Sequence, residues 1–387
     1  MKTLSVLSVA VVALFQVVVF PLAAQDPSIV LKDGGIEFPD GTLQETSAGP
    51  RTLTVAVDCT ATESINEALD RTADELIVEI TGSCHEDVVI ERNNVTLRGV
   101  MPGATVVAAS STAIFLDRVS RVSIENLSVQ GGTGGPGILV SLSTAVSVSD
   151  LVVELGQSKG MTVLLSTVIV SDSIFRNNNG YGLQGNQSSL VFLGSEVDLS
   201  DNSYEGLLLS FQSELLSVAT IRANGNGDGG ILLGENSSAT LLGPVEITGN
   251  DVAGIKVDSG SVLVLGDVEA SENENGIMAM NGGQIHIHEE GEANVHENTL
   301  SGLSATDGGF LELYGTVNLN GTDGVYLHGS SATIHDSTIQ GNTSSDVVLL
   351  FGSRVDFEGT NTVGTVVCDL TVLVEGDVSC PAPREAL

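Results

Sequence analysis

The residues best placed to do chemistry are acids and bases that recur at a nearly fixed spacing. Arg222, Glu246, Glu269 and His296 lie 24, 23 and 27 residues apart. If the chain coils with a period of that size, they fall on neighbouring turns of one outer face. The spacing puts Arg176, Ser200, Arg222, Thr248, Ser271 and His296 in one outward column, with Asp198, Glu246 and Glu269 in the column beside it. A base beside clustered carboxylates is what abstraction of a sugar-ring proton requires, the carboxylates holding a Ca²⁺ ion. Glu246 and Glu269 on adjacent turns also meet the roughly 5–10 Å separation of a two-carboxylate glycosidase. Almost any two acids on adjacent turns would do the same. The competing reading is a solvated ladder of cross-strand pairs, each worth about 0.2–1 kcal/mol. We read these residues first as that ladder and second as a catalytic site.

Histidines cluster late in the chain, at His286, His288, His296, His328 and His335. The same periodicity stacks His288, Tyr314, His335 and Glu358. Tyr314 then separates the two histidines by two turns, about 9.6 Å, too far for one shared ion. No metal site is expected. The segment Asn224-Gly225-Asn226-Gly227-Asp228-Gly229-Gly230 resembles a Ca²⁺-binding loop but occurs once, so it reads as a turn. No cofactor is expected, and Ca²⁺ enters only with the catalytic reading.

What must position these side chains is a repeat. Two alternating apolar residues lead to Asn, then after about four residues to Gly and an aliphatic residue. Val245-Glu246-Ile247 leads to Asn250 and Gly254-Ile255; Ala293-Asn294-Val295 leads to Asn298 and Gly302-Leu303. The asparagines fall at 178, 202, 224, 250, 273, 298, 320 and 342, in steps of 24, 22, 26, 23, 25, 22 and 22 residues. Each unit holds about three short strands, which cannot fold alone but can close one turn of a solenoid and stack. The expected fold is an all-β, right-handed parallel β-helix of eleven or twelve turns, roughly 50–60 Å long. Ile247, Ala270, Val295, Leu319 and Ile339 should stack inside it, as should Ile255, Ile277, Leu303, Val325 and Val347. Asn178, Asn202, Asn224, Asn250, Asn273, Asn298 and Asn342 should form a corner ladder. Asn tolerates the left-handed turn, and the nearby Gly accepts positive φ. A semi-apolar outward stripe, Leu208, Leu232, Met278 and Tyr326, interrupted by Lys256 and Ser304, is a surface for intrachain cover or a homo-oligomer.

Charge narrows the partners. The chain has 14 Lys and Arg against 49 Asp and Glu, a formal net charge of −35. It repels nucleic acid and anionic membrane faces. Lys2, the apolar run Leu4–Phe20 and the small residues ending at Ala24 read as a signal peptide spanning 1–24, leaving no membrane span after cleavage. The expected location is secreted, periplasmic or at the cell surface. There, the local pairs Cys59/Cys84 and Cys368/Cys380 read as two disulfides rather than a metal site. Residues 25–52 read as a linker with a hairpin turned at Asp40-Gly41, 53–90 as a cap with a short helix at Ser64–Leu69, 91–366 as the β-helix, and 367–387 as a C-terminal cap and tail.

The Asn–Gly–aliphatic turns, with Val95-Thr96-Leu97-Arg98-Gly99 as an early one, resemble the pectin-lyase-like superfamily over residues 53–380. The resemblance implies the fold. It leaves activity open, because members include lyases, polygalacturonases, epimerases, tailspikes and proteins without known activity. The polygalacturonase hallmarks (an N-T-D run, a D-D pair, G-H-G and R-I-K) are absent, and His328-Gly329 lacks their context. The leading expectation is therefore an exported non-catalytic protein with a structural, adhesive or binding role and a carbohydrate or cell-surface partner. The alternative is a lyase or epimerase, less readily a hydrolase, acting on a uronate-containing glycan.

Overall fold

The computed structural model describes residues 51–100, 103–289 and 291–381, together with the backbone of three short strands before them. Those strands, Val30–Lys32, Gly35–Glu37 and Leu43–Glu45, form a small antiparallel sheet in a unit that ends at Arg51. The expected leader at 1–24, the turn at Asp40-Gly41 and the tail from 382 lie outside the described residues. Among those residues no helix is long and apolar enough to cross a membrane.

From Thr52 onward the chain is a parallel β-solenoid of about 14 turns. One face is a 13-stranded sheet running from Val88–Ile90 to Val366–Cys368. A 24-stranded sheet supplies the other two faces. It bends between them where single strands such as Thr167–Arg176 round a corner, with Asp172 left-handed at φ 47°. The coil is longer than eleven or twelve turns because part of the expected cap is already coiled. Thr52–Asp58 pairs in parallel with Glu75–Thr81, which pairs with Val95–Gly99. At the other end Leu373–Gly376 still pairs with Arg354–Phe357.

Period-two apolarity fills the interior. Ile255, Ile277, Leu303, Val325 and Val347 stack in register, each no more than 1% exposed. In the second column the stack is Ile247, Ala270, Val295, Val317 and Ile339, so Val317 takes the place expected for Leu319. Leu319 is 59% exposed. The inward residue sits three positions before the corner Asn, whereas Leu319 sits one before it, where the chain is left-handed (φ 55°).

That geometry also revises the corner. The left-handed residues are Asn177, Asp201, Gly225, Gly249, Glu272, Glu297, Leu319 and Gly341, each immediately before a ladder asparagine. The asparagines serve a different need. All but the half-buried Asn342 are buried, and each side-chain amide donates to the carbonyl oxygen of the next: Asn178 to Asn202 at 3.1 Å, then to Asn226, Asn250, Asn273, Asn298, Asn320 and Asn342. Each carbonyl oxygen also accepts the backbone N–H of the preceding Asn, as Asn226 does from Asn202 at 3.0 Å. Asn226, not Asn224, is the ladder member. The glycine that follows is required by close approach rather than by φ: a Cβ on Gly254 would lie 2.6 Å from the Gly276 carbonyl oxygen and 2.9 Å from Asn273 Nδ2. The ladder ends on Asp346, whose Oδ1 accepts Asn342 Nδ2 at 2.9 Å.

A second ladder lines the corner after the 13-stranded sheet. Ser143, Ser166, Ser189, Ser213, Ser237 and Ser261 are buried. Hydroxyl oxygens of Ser166, Ser213, Ser237 and Ser261 accept the backbone N–H of the serine one turn earlier, at 2.9–3.3 Å.

The ends are closed by different means. The helix Ile65–Leu69 buries Ile65, Ala68 and Leu69. Ser64 caps it, and the Glu86 carboxylate accepts the Ile65 N–H at 2.7 Å. Disulfides join Cys59 to Cys84 and Cys368 to Cys380.

Candidate functional site

Three places concentrate ionisable groups. The first contains the residues singled out by spacing. Asp198, Arg222, Glu246, Glu269 and Asn294 share one outward column. Thr248, Ser271 and His296 share the other. Arg222 therefore stands among the acids, and Asn224 holds its expected place, bonded to Ser200 and Thr248. The two-residue offset arises because the segment between Arg222 and the ladder is read one pair late when Asn224 is taken as the corner.

The charges that could do chemistry here are paired. Arg222 NH1 bonds Glu196, and its Nε lies 3.2 Å from Glu246. Glu269 accepts Asn294 Nδ2 at 2.7 Å and faces His296 Nε2 at 2.5 Å. The Glu196 hydrogen bond, with Glu246, raises the Arg222 pKa further and so favours the charged guanidinium over the neutral form. The surface is open: the Arg222 side chain is 38% exposed and that of Glu196 60%. The Glu246 side chain is 48% exposed, that of Glu269 39% and that of His296 24%.

The second place is a chain of histidines and acids. Glu312 lies between two rings, with His286 Nδ1 at 2.8 Å and His335 Nε2 at 3.4 Å. His335 Nδ1 is 3.5 Å from Glu358, and Tyr314 stacks on the His335 ring at 4.4 Å. Burial, reinforced by Glu312, raises the Tyr314 pKa and keeps its phenol protonated. Among the described residues no three metal-binding side chains converge.

The third place contains the semi-apolar stripe expected from spacing, beside a cavity and acids that spacing did not single out. On the outer face of the 13-stranded sheet, Gln184, Leu208, Leu232, Lys256, Met278, Ser304, Tyr326 and Val348 follow one another in register. Beside Leu232 a cavity of about 250 Å³ is lined by Glu205, Asp228, Ile231, Val252, Ala253 and Lys256, among others. Tyr181 and Tyr204 pack at 5.6 Å on the preceding turns, tilted by 47°. Lys159 donates to Gln184 Oε1 at 2.6 Å, with its ammonium 5.6 Å from the Tyr181 ring centre. Burial raises the Glu205 pKa, Asp228 adds to the shift, and Lys256 opposes it. Burial raises the Tyr181 phenol as well, helped by Glu205, and lowers the Lys159 amine.

These residues sit at constant offsets from the ladder: Tyr204 and Asp228 two positions after Asn202 and Asn226, Tyr181 and Glu205 three after Asn178 and Asn202. The offsets are present in the sequence. Taking Asn224 as the ladder member hides Asp228 from that register.

Comparison with known proteins agrees with the coil. Residues 76–241 match the family model described as a right handed beta helix region. The A-module of mannuronan C-5 epimerase AlgE6 from Azotobacter vinelandii is 14% identical, with a TM-score of 0.51 over 80% of this chain and 91% of that one. An alginate lyase from Paenibacillus sp. str. FPU-7 is 12% identical, with a TM-score of 0.38 over 82% of this chain and 99% of the other. The Yersinia enterocolitica Family 28 exopolygalacturonase is also 12% identical, with a TM-score of 0.38 over 89% and 80%. No curated protein matches. The fold defines a parallel β-solenoid. More particularly, it is a right-handed parallel β-helix, the architecture that the family model describes over residues 76–241. At these identities the likeness is one of fold.

Proposed function

We propose that the protein is an exported, non-catalytic β-helix that binds glycan. One observation carries the non-catalytic half. The groups with acid–base capacity, Arg222, Glu246, Glu269 and His296, are paired with one another or their neighbours on an open face. A catalytic base needs a free site for the proton it takes and a walled position for substrate. The binding half is supported by the cavity beside Leu232, which joins an apolar floor to convergent polar groups near two aromatic rings. Export is supported by the leader-like start of the sequence and by two disulfides, which persist in oxidising compartments.

The second reading is a lyase or epimerase on a uronate polymer, favoured by the fold shared with the mannuronan C-5 epimerase module. A fold does not transfer a site. The deciding experiment incubates purified protein with alginate and polygalacturonate, with and without Ca²⁺. It follows unsaturated products by absorbance and C-5 configuration by proton NMR. The expected result is no turnover under either condition. Turnover abolished by Arg222→Ala would replace the binding reading with the enzymatic one.

A further inference from the structure

The cavity beside Leu232 has a more specific chemistry than glycan binding in general, although its assignment rests on the glycan-binding reading. We infer that the groove formed by Glu205, Asp228 and Lys256, with the Tyr181–Tyr204 pair at its edge, is a subsite for one uncharged sugar ring.

Size comes first. At about 250 Å³ the cavity lies just under the roughly 300–1,000 Å³ of ordinary small-molecule sites, suiting a single ring rather than several. Its lining is amphipathic in the way a pyranose is. Ile231, Leu232, Val252 and Ala253 offer an apolar floor for ring C–H groups. Glu205 and Asp228 accept from hydroxyls, and Lys256 donates to them. The two tyrosines add tilted rings carrying a phenolic hydroxyl each, and Tyr204 is 49% exposed. A tyrosine presents an apolar body and a polar tip, which suits the same ligand.

Charge then selects among sugars. The chain holds only four lysines, at 2, 32, 159 and 256, and one of them, Lys256, lines this groove. It offsets one of the two carboxylates, Glu205 and Asp228, on a molecule of net charge −35. A uronate brought here would meet two carboxylates and the field of the whole rod. A divalent cation would meet Lys256 among its ligands, and no metal-binding trio forms among the described residues. A bound ammonium sugar would have to displace Lys256 from its place near the acids. An uncharged, hydroxyl-rich ring incurs none of these costs.

The test uses the full chain and calorimetric titration with maltohexaose, xylohexaose, mannohexaose and hexagalacturonate. The variants are Tyr204→Ala, at an exposed ring, and Glu205→Ala. Arg354→Ala, on another face and paired with Glu375, is the control, and melting curves verify folding. The expected result is binding of at least one neutral hexasaccharide, weakened about tenfold by each groove variant and unchanged by the control. A neutral glycan that binds all variants equally would overturn the groove and leave glycan binding intact. Hexagalacturonate binding as tightly as the neutral sugars would overturn the uncharged class. Failure of all four probes to bind the wild-type chain would overturn both this inference and the glycan-binding reading beneath it.

Discussion

The asparagine ladder offers a test within two residues of chain. Asn226 and Asn224 are the same residue type in one corner, yet only Asn226 belongs to the ladder. Its Oδ1 accepts the Asn202 backbone N–H at 3.0 Å and Asn202 Nδ2 at 3.2 Å, and its Nδ2 donates to Asn250 at 3.0 Å. Asn226→Ala removes all three bonds. Asn202 Nδ2 keeps the Phe175 and Leu199 carbonyls as acceptors, whereas the buried Asn202 N–H keeps none. A lost hydrogen bond costs about 0.5–1.5 kcal/mol, and an orphaned buried donor about 1–3 kcal/mol. The expected loss is about 3 kcal/mol. Asn224→Ala removes the bond accepted from the Thr248 N–H at 2.8 Å and a long contact to Glu246, in a half-buried place that water can refill. Its expected loss is under about 1 kcal/mol. Because a solenoid can unfold piecewise, urea titration should be paired with amide exchange at residues 202–227, where local opening appears directly. Equal losses for the two variants, or a larger loss for Asn224→Ala, would refute a ladder that runs through Asn226.

Three other perturbations have defined outcomes. Arg222→Ala should cost less than about 1 kcal/mol, and the difference should shrink in high salt, since its partners are half-exposed; a loss above about 2 kcal/mol in urea titration would mean the site is not a surface ladder. Burial alone would raise the Asp346 carboxyl, but bonds from Thr365 and Asn342 outweigh it and hold the pKa below the ordinary value, so Asp346 stabilises the fold above about pH 4 and that contribution fades as pH falls further. Asp346→Asn should therefore be less stable than the parent near neutrality, the gap narrowing in acid; a pH-independent gap in melting temperature would contradict this. Replacing both cysteines of one bridge should cost about 3.5 kcal/mol for Cys59–Cys84, spanning 25 residues, and about 2.8 kcal/mol for Cys368–Cys380, spanning 12; the reverse order in denaturant titrations would point to native-state effects instead.

The coil was legible because its signal is redundant. Ile255, Ile277, Leu303, Val325 and Val347 repeat at the ladder's period, and a one-residue slip would turn each outward. Corners were less legible because two asparagines compete in Asn224-Gly225-Asn226. Composition marks both as turn formers, and both follow a buried residue by three positions, Asn224 after Ile221 and Asn226 after Ala223, so only the choice of Ala223 as the last inward residue separates them. Leu319 misled for the same reason: it is apolar but lies in the left-handed corner, where backbone geometry outweighs hydrophobicity. The serine ladder has a period as regular as that of the asparagines. Ser143, Ser166, Ser189, Ser213, Ser237 and Ser261 are spaced by 23, 23, 24, 24 and 24 residues, yet serine is common in turns and its repetition draws no notice. The groove was the least legible part. Glu205, Asp228 and Lys256 belong to three turns, and no linear pattern marks a concavity.

The corner asparagines all point the same way. Each amide turns its NH₂ end toward the next turn and its oxygen toward the previous one, from Asn178 through Asn342. Eight side-chain dipoles thus add head to tail along the axis, as peptide dipoles do in an α-helix. The electropositive end of that row meets the carboxylate of Asp346, placed like an anion at a helix N-terminus. A column that begins and ends in this fashion has a sense of direction. Another row of amides set beyond Asp346 would present its oxygen to a carboxylate that has no proton to give, so the polarity that organises the corner also fixes where the row stops.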